Sequence, residues 1–340
     1  MTNLKTGVLL INLGTPDSSS NRDVRKYLRE FLNDPRVIDS SPLSRFLLVN
    51  LIIAPFRAPK SAKLYEKIWT GRGSPLLFHG QDVKEKLQQA LGENYIVEFG
   101  MRYQNPSVSL ALQRLQKKNV QKLVIIPLYP QYASSSTGST LAQVNKIISK
   151  WEVIPDMQLI SQFYDHPGFT NTIAKIAQQY DVSAYDHVLF SFHGLPERQI
   201  KKADNSNTCL IKENCCKQIN QHNHHCYRAT CYATAVNIAE KLSIPENKYS
   251  VSFQSRLGKT PWIKPYSDEV IIKKAKEGIK KLLVFSPAFV ADCLETLYEI
   301  GTEYNHLFQQ HGGEKVQLVE SLNSDSLWIE TLKSMVISAC

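Results

Sequence analysis

Two short stretches concentrate the side chains able to move protons or hold a metal. Val188–Arg198 reads VLFSFHGLPER, and Ser286–Glu303 reads SPAFVADCLETLYEIGTE. In the first, His193 is the one group of a type that titrates near neutrality. It follows the apolar run Val188–Phe190 and precedes a Gly194-Leu195-Pro196 reversal. A histidine at the C-terminal end of a buried strand lies where open α/β sheets place their chemistry. Alone it would read as a core or turn histidine; its neighbours change the balance. In the second stretch Glu295 and Glu299 are four apart and share a helix face, and Glu303 extends that face if the helix continues through Gly301. Asp292 and Glu295 also have capping-box spacing, the plain structural reading of the same acids. An imidazole facing a carboxylate can pass protons or bind a hard-to-borderline divalent ion. Two or three ligands with open positions suit transient metal handling, not a closed structural site.

A second set of residues describes what such a site would hold. Tyr65 and Trp69 lie four apart on one expected helix, and Tyr129, Tyr132 and Trp262 follow or precede strand ends. With Arg102 they suit a flat, apolar, anionic ligand. Arg57, Lys60 and Ser74 are placed to hold its carboxylates, arginine doing so with a fork of donors.

These residues need elements to carry them. Gly7–Leu13, Tyr95–Phe99 and Leu123–Ile126 read as strands, each followed by a turn and an amphipathic helix. The second half repeats the plan. VLFSFHGLP at 188–196 matches VLLINLGTP at 8–16, and Phe99-x-x-Arg102 recurs as Phe253-x-x-Arg256. Leu282–Phe285 with Pro287 matches Leu123–Ile126 with Pro127. Strands alternating with helices mean parallel sheets with right-handed crossovers. The expected fold class is α/β: two similar Rossmann-like lobes, each a parallel sheet flanked by helices, with a central cleft. The expected division is 1–160 for an N-terminal lobe with a pocket lip at 42–75, and 161–335 for a C-terminal lobe with a cysteine-rich insertion at 205–231. A C-terminal helix is expected to pack back across the lobes.

The bulk numbers agree with this size. The chain has 340 residues, 43% of them hydrophobic, and a formal net charge of +9 from 40 basic and 31 acidic residues. That charge suits an anionic small molecule or membrane surface. No basic run or recognition motif accompanies it, so nucleic acid is excluded as a partner. Met1–Lys5 has no signal-peptide layout, and the apolar stretch FLLVNLIIAPF at 46–56 is too short to span a bilayer. A cytoplasmic protein is expected, with peripheral contact to the inner membrane face. Of seven cysteines, five (Cys209, Cys215, Cys216, Cys226, Cys231) lie in the insertion beside His222, His224 and His225. A [2Fe-2S] cluster, a zinc ion, redox-sensitive disulfides and an empty insertion all remain open there. A cytoplasmic setting disfavours stable disulfides.

Taken together, the motifs resemble the ferrochelatase family over roughly 6–335. They are LLINLGTPD at 9–17, KYLREFLNDPRVID at 26–39, GRGSPL at 71–76, FGMRY at 99–103, PLYPQYASSSTGS at 127–139, SFHGLPER at 191–198, QSRLGKTPW at 254–262 and SPAFVADCLETLYE at 286–299. The resemblance implies insertion of Fe²⁺ into protoporphyrin IX to form protohaem, with release of two protons. It implies no cofactor beyond the iron that is itself substrate. His193 and Glu295 become the facing catalytic pair and metal contacts, and Asp292, Glu299 and Glu303 an acidic path for protons or metal. Arg57, Lys60, Tyr65, Ser74, Arg102, Tyr129 and Trp262 become porphyrin-binding residues. The lip implies transient contact with a membrane surface or with the preceding enzyme of the haem pathway. The family mechanism bends the macrocycle so that its lone pairs leave the plane, a strain of about 1–5 kcal/mol drawn from remote binding groups.

The sequence departs from the family at three places. Cys293 stands where many relatives have histidine, as a small packed residue or a soft auxiliary ligand. Leu13 stands where coproporphyrin-using relatives often carry tyrosine, which favours protoporphyrin. The C-terminus offers only Cys340, so the family's C-terminal cluster pattern is unmatched. Coproporphyrin III ferrochelatase, another tetrapyrrole metal chelatase and a non-catalytic tetrapyrrole carrier are the competing readings.

Overall fold

The computed structural model describes residues 5–258 and 260–340; Met1–Leu4 and Lys259, the latter inside QSRLGKTPW, lie outside the described residues. The chain divides into two compact units. The first comprises the chain up to Tyr129, Ala133–Gln162 and Asn323–Cys340; the second comprises Pro130–Tyr132 and Phe163–Leu322.

In the first unit the order is β1 (Thr6–Gly14), α1 (Asn21–Leu32), α2 (Pro42–Leu47), α3 (Ala54–Ile68), α4 (Pro75–Leu91), β2 (Tyr95–Tyr103), α5 (Val108–Lys117), β3 (Lys122–Pro127), α6 (Ser139–Ile148) and β4 (Asp156–Leu159). The strands form one parallel sheet in the order β2-β1-β3-β4. β1 is central and buried from Gly7 to Asn12, as its near-continuous apolar run requires. One face packs on α5 and α6 through Leu9, Ile11, Leu112, Leu115, Ile125 and Val144. The last helix of the chain, α12 (Ser326–Ser338), belongs to this unit and packs against α4.

The second unit repeats the topology. After α7 (Pro167–Ala177) come β5 (His187–His193), α8 (Glu197–Ala203), α9 (Tyr227–Lys241), β6 (Tyr249–Gln254), α10 (Ser267–Lys276), β7 (Lys281–Phe285), α11 (Asn305–Gln310) and β8 (Lys315–Leu318). The sheet order is β6-β5-β7-β8, again parallel throughout. Leu189, Leu282, Val284 and Ile271 pack with Ile300 and Phe308 beneath it. The two lobes also share an irregularity. A π-helical segment follows the third strand of each sheet, Ser134–Gly138 in the first and Leu294–Tyr304 in the second.

Two matched motifs differ in detail. β2 continues through Tyr103, so Arg102 lies in a strand, whereas β6 ends at Gln254 and Arg256 lies in a loop, paired with Asp268 at 2.6 Å. Gly100 permits the longer β2, because a Cβ there would meet the Val108 Cα at 3.0 Å. Among the described residues no helix is long and apolar enough to cross a membrane.

Candidate active site

His193 is the last residue of β5 and pairs in register with Gln254 at the end of β6. The chain turns at once: the Gly194 N–H donates to the Gln254 carbonyl at 2.8 Å. A Cβ at position 194 would lie 2.8 Å from that carbonyl oxygen and 3.2 Å from the Trp262 ring, so only glycine fits. The Tyr227 hydroxyl donates to the His193 carbonyl at 2.8 Å, fixing the strand end from α9. The ring itself is half-buried, with its Nδ1 2.6 Å from the Gly194 carbonyl oxygen. That oxygen can only accept, so Nδ1 carries a hydrogen there. Trp262 and Phe289 flank the imidazole with ring centroids at 6.5 and 6.2 Å.

The acidic line rises from the π-helix Leu294–Tyr304, which runs through Gly301 and continues as α11. Its N-cap corrects one expectation. Cys293, not Asp292, caps the helix, and Thr296 reciprocates by accepting the Cys293 N–H at 3.0 Å. Asp292 is instead held one residue earlier, its Oδ1 accepting from the Thr296 hydroxyl at 3.1 Å and the Ser321 N–H at 3.2 Å. Glu295 and Glu299 are half-buried. Glu299 accepts from the Ser255 N–H at 2.9 Å, the Tyr304 hydroxyl at 2.9 Å and the Gln254 amide at 3.2 Å. The same Gln254 amide donates to the Glu295 carbonyl at 3.0 Å. Gln254 therefore ties the His193 turn, through its backbone, to the segment bearing Glu295 and Glu299, through its side chain. The Ser191 hydroxyl fixes that side chain in turn, donating to its Oε1 at 2.7 Å. Desolvation and the like charge of Glu299 push the Glu303 carboxyl above the ordinary glutamate range. Burial, then the Glu299 charge, pushes the Tyr304 phenol up too, so it remains a donor.

In the first unit, Arg57 and Lys60 are exposed three residues apart on α3, with no ion pair among the described residues. Ser74 precedes α4, is 2% exposed, and accepts from the Thr15 hydroxyl at 2.8 Å. Tyr65 is buried, its ring edge-on to Tyr27 and Trp69 at 6.5 and 6.3 Å. Tyr129 is buried against Thr140, and burial raises its phenol. Arg102 is already engaged: its Nη2 lies 2.6 Å from Asp34 and its Nε 2.8 Å from Ser139. Burial pushes the Asp34 carboxyl up, but hydrogen bonds from Ser139 and the Arg36 N–H, the Arg102 charge and the Tyr103 hydroxyl outweigh it and hold it below the usual range.

Comparison with known proteins decides what this geometry serves. The ferrochelatase family model matches residues 5–340. The chain belongs to the ferrochelatase family. The ferrochelatase of Legionella pneumophila (strain Lens) is 45% identical over 333 residues, 98% of this chain and 99% of its own length. That of Coxiella burnetii (strain Dugway 5J108-111) is 43% identical over 335 residues, 98% of this chain and 93% of its own. Among solved structures, SirB from Bacillus subtilis with Fe³⁺ superposes with a TM-score of 0.53 at 10% identity, covering 99% of this chain and 96% of that one. The sirohydrochlorin chelatase SirB from Bacillus subtilis subspecies spizizenii, in complex with cobalt, gives 0.51 at 11%, with 99% and 95% covered. These two likenesses show the chelatase-type fold. As a ferrochelatase the chain inserts ferrous iron into a porphyrin, and the iron is substrate.

The cysteine-rich insertion is not explained by that reaction. Cys209 and Cys226 approach to 3.6 Å between sulfurs, as do Cys215 and Cys216, and all seven cysteines are free thiols. Burial pushes the Cys209 and Cys215 thiols up, and a hydrogen bond with Cys226 followed by burial does so for Cys216. Cys231 is fully buried in α9. Among the described residues no three His, Cys, Asp or Glu side chains are grouped to hold a metal ion, so nothing supports the cluster or zinc reading. Cys293 is likewise buried, its thiol pushed well up by burial and by Glu295.

Sequence reasoning did not single out Gln254, Phe289, Tyr227 or Asp34. The signal for Gln254 lies in its position: it ends β6, the strand that corresponds to β2, beside His193.

Proposed function

We propose that the chain metallates protoporphyrin IX with Fe²⁺, with His193 as the acceptor of the pyrrole protons and Glu295 as its partner. The observation that carries this reading is the hydrogen bond that His193 Nδ1 donates to the Gly194 carbonyl at 2.6 Å. It commits Nδ1 and leaves Nε2 of the half-buried ring as the nitrogen to take a proton. Protonation of Nε2 keeps that hydrogen bond and strengthens it, because the donor becomes charged. Trp262 and Phe289 supply flat apolar surface beside the ring, the form a macrocycle needs. Two protons leave the pyrrole nitrogens as Fe²⁺ enters, and Glu295, Glu299 and Glu303 pass them outward along the π-helix. Asp292, hydrogen-bonded to Thr296 and Ser321, anchors the start of that line. Arg57 and Lys60, without ion pairs, take the propionates, together with Ser74 at the head of α4. Trp262, beside His193, meets the macrocycle, and Arg102, committed to Asp34 and Ser139, positions the end of β2.

The substrate branch rests on Leu13, and a cytoplasmic site at the membrane face rests on exposed apolar residues such as Leu43, Phe46, Leu51, Ile52 and Phe56. The branch is tested by anaerobic Fe²⁺ insertion into protoporphyrin IX and coproporphyrin III in parallel, followed by loss of free-porphyrin fluorescence. A higher kcat/KM for protoporphyrin is expected. Preference for coproporphyrin would overturn the Leu13 inference.

A further inference from the structure

Away from the residues assigned above to the propionates, α1 carries its charge in an unusual place. One face of the helix, Val24, Tyr27, Leu28 and Leu32, is buried. The other presents Arg22, Arg25, Lys26 and Arg29, and with Arg102 and Gln104 at the end of β2 it lines a pocket of about 1030 Å³. The lining holds five cationic side chains (Arg22, Arg25, Lys26, Arg29, Arg102) and two acids (Glu30, Asp34), a surplus of three positive charges.

The acids present do not neutralise that surplus. Asp34 is taken by Arg102 at 2.6 Å, and Lys26 is met from outside the pocket by Asp17 at 3.1 Å. Glu30 accepts from Gln104. Among the described residues Arg22, Arg25 and Arg29 have no ion pair. The Arg25 Nε is buried and has no hydrogen-bond partner. A buried guanidinium N–H without an acceptor is costly, and an anionic oxygen is the group that relieves it. The placement is unfavourable for the helix in two further ways. Arg22 lies in its first turn, where the macrodipole is already positive. Arg22, Arg25 and Arg29 are spaced three and four apart, so like charges stack on one face. An anion bound there removes all three penalties at once.

We propose that this pocket is an anion-binding site for a small polyanion carrying at least two carboxylate or phosphate groups. Its volume exceeds that of a single inorganic ion, and guanidinium forks match either group in bidentate geometry. The site lies within the first unit and shares only Arg102 with the residues of the metallation reading.

Calorimetric titration of the full chain with citrate and with pyrophosphate, at ionic strength held constant with KCl, tests it. Saturable one-to-one binding of either anion is expected, and the preference between them names the group recognised. Arg25→Gln and, separately, Arg29→Gln should each weaken that binding by at least about tenfold. Lys117→Gln removes the same charge from the exposed surface of α5 and should change it by less than about twofold. Iron insertion by the same samples should be unchanged, which checks that the variants are folded and separates this proposal from the catalytic one. Absence of saturable binding, or a loss in K117Q equal to that in R25Q and R29Q, would overturn the proposal.

Discussion

Gln254 links the His193 turn to the segment bearing Glu295 and Glu299. Its carbonyl receives the Gly194 N–H at 2.8 Å and its amide donates to the Glu295 carbonyl at 3.0 Å and to Glu299 at 3.2 Å. Gln254→Ala keeps the backbone bond and removes both side-chain bonds. It should lower kcat about 10–100-fold while leaving the porphyrin KM within about twofold, the pattern of lost positioning around a metal-handling group. An equal rise in KM would assign Gln254 to substrate binding instead. Glu295→Gln should lower kcat at least as far, because an amide cannot take up a proton from the partner imidazole; unchanged kcat would remove Glu295 from the reaction. The types and spacing of His193, Glu295 and Glu299 were legible in the sequence because their chemistry is intrinsic to the side chain. Asp34 was not: its part comes from Arg102, Tyr103 and Ser139, which approach it only in the fold.

At the scale of elements, β5 carries a titratable group at each end. His187 opens the strand, is 3% exposed and shares a hydrogen bond of 2.9 Å with Ser250. Burial, then the Lys274 charge, lowers its pKa from 6.5 to about 4. The folded chain therefore refuses a proton that the unfolded chain accepts. Its contribution is present above pH 6.5 and is lost as pH falls toward 4, a total on the order of 3 kcal/mol. Urea unfolding between pH 7 and 4 should show this loss in the wild type and a flatter dependence in His187→Gln. Equal slopes would place the titration elsewhere. The central strands β1, β3, β5 and β7 were legible because buried parallel strands are near-continuous apolar runs. β4 and β8 were not, being four residues each on sheet edges, with the β4 pattern mostly exposed. The π-helix escaped the reading as well. An i, i+4 acidic stripe looks the same in sequence whether its backbone closes α or π turns, so Asp292 was given the cap that Cys293 holds.

For the whole molecule, charge and exposed apolar surface bear on membrane contact. The net charge is +9, and Leu43, Phe46, Leu51 and Phe56 are 70, 56, 63 and 74% exposed. Apolar patches flanked by positive charge suit an anionic bilayer surface. The protein should cosediment with phosphatidylserine-containing vesicles at low salt and be released by Phe46→Asp together with Phe56→Asp. Cosedimentation equal for wild type and variant would leave charge alone as the cause. The alternation of strands and helices and the internal repeat made both lobes legible, since each strand must cross over to its parallel neighbour. The central claim is that His193 takes the protons displaced by iron, and single-turnover metallation tests it most directly. Wild type and His193→Ala would be loaded with protoporphyrin IX, mixed anaerobically with Fe²⁺, and followed by porphyrin fluorescence and haem absorbance. The prediction is that both bind porphyrin with similar affinity and only the wild type forms haem. Haem formation by His193→Ala at the wild-type rate would contradict it.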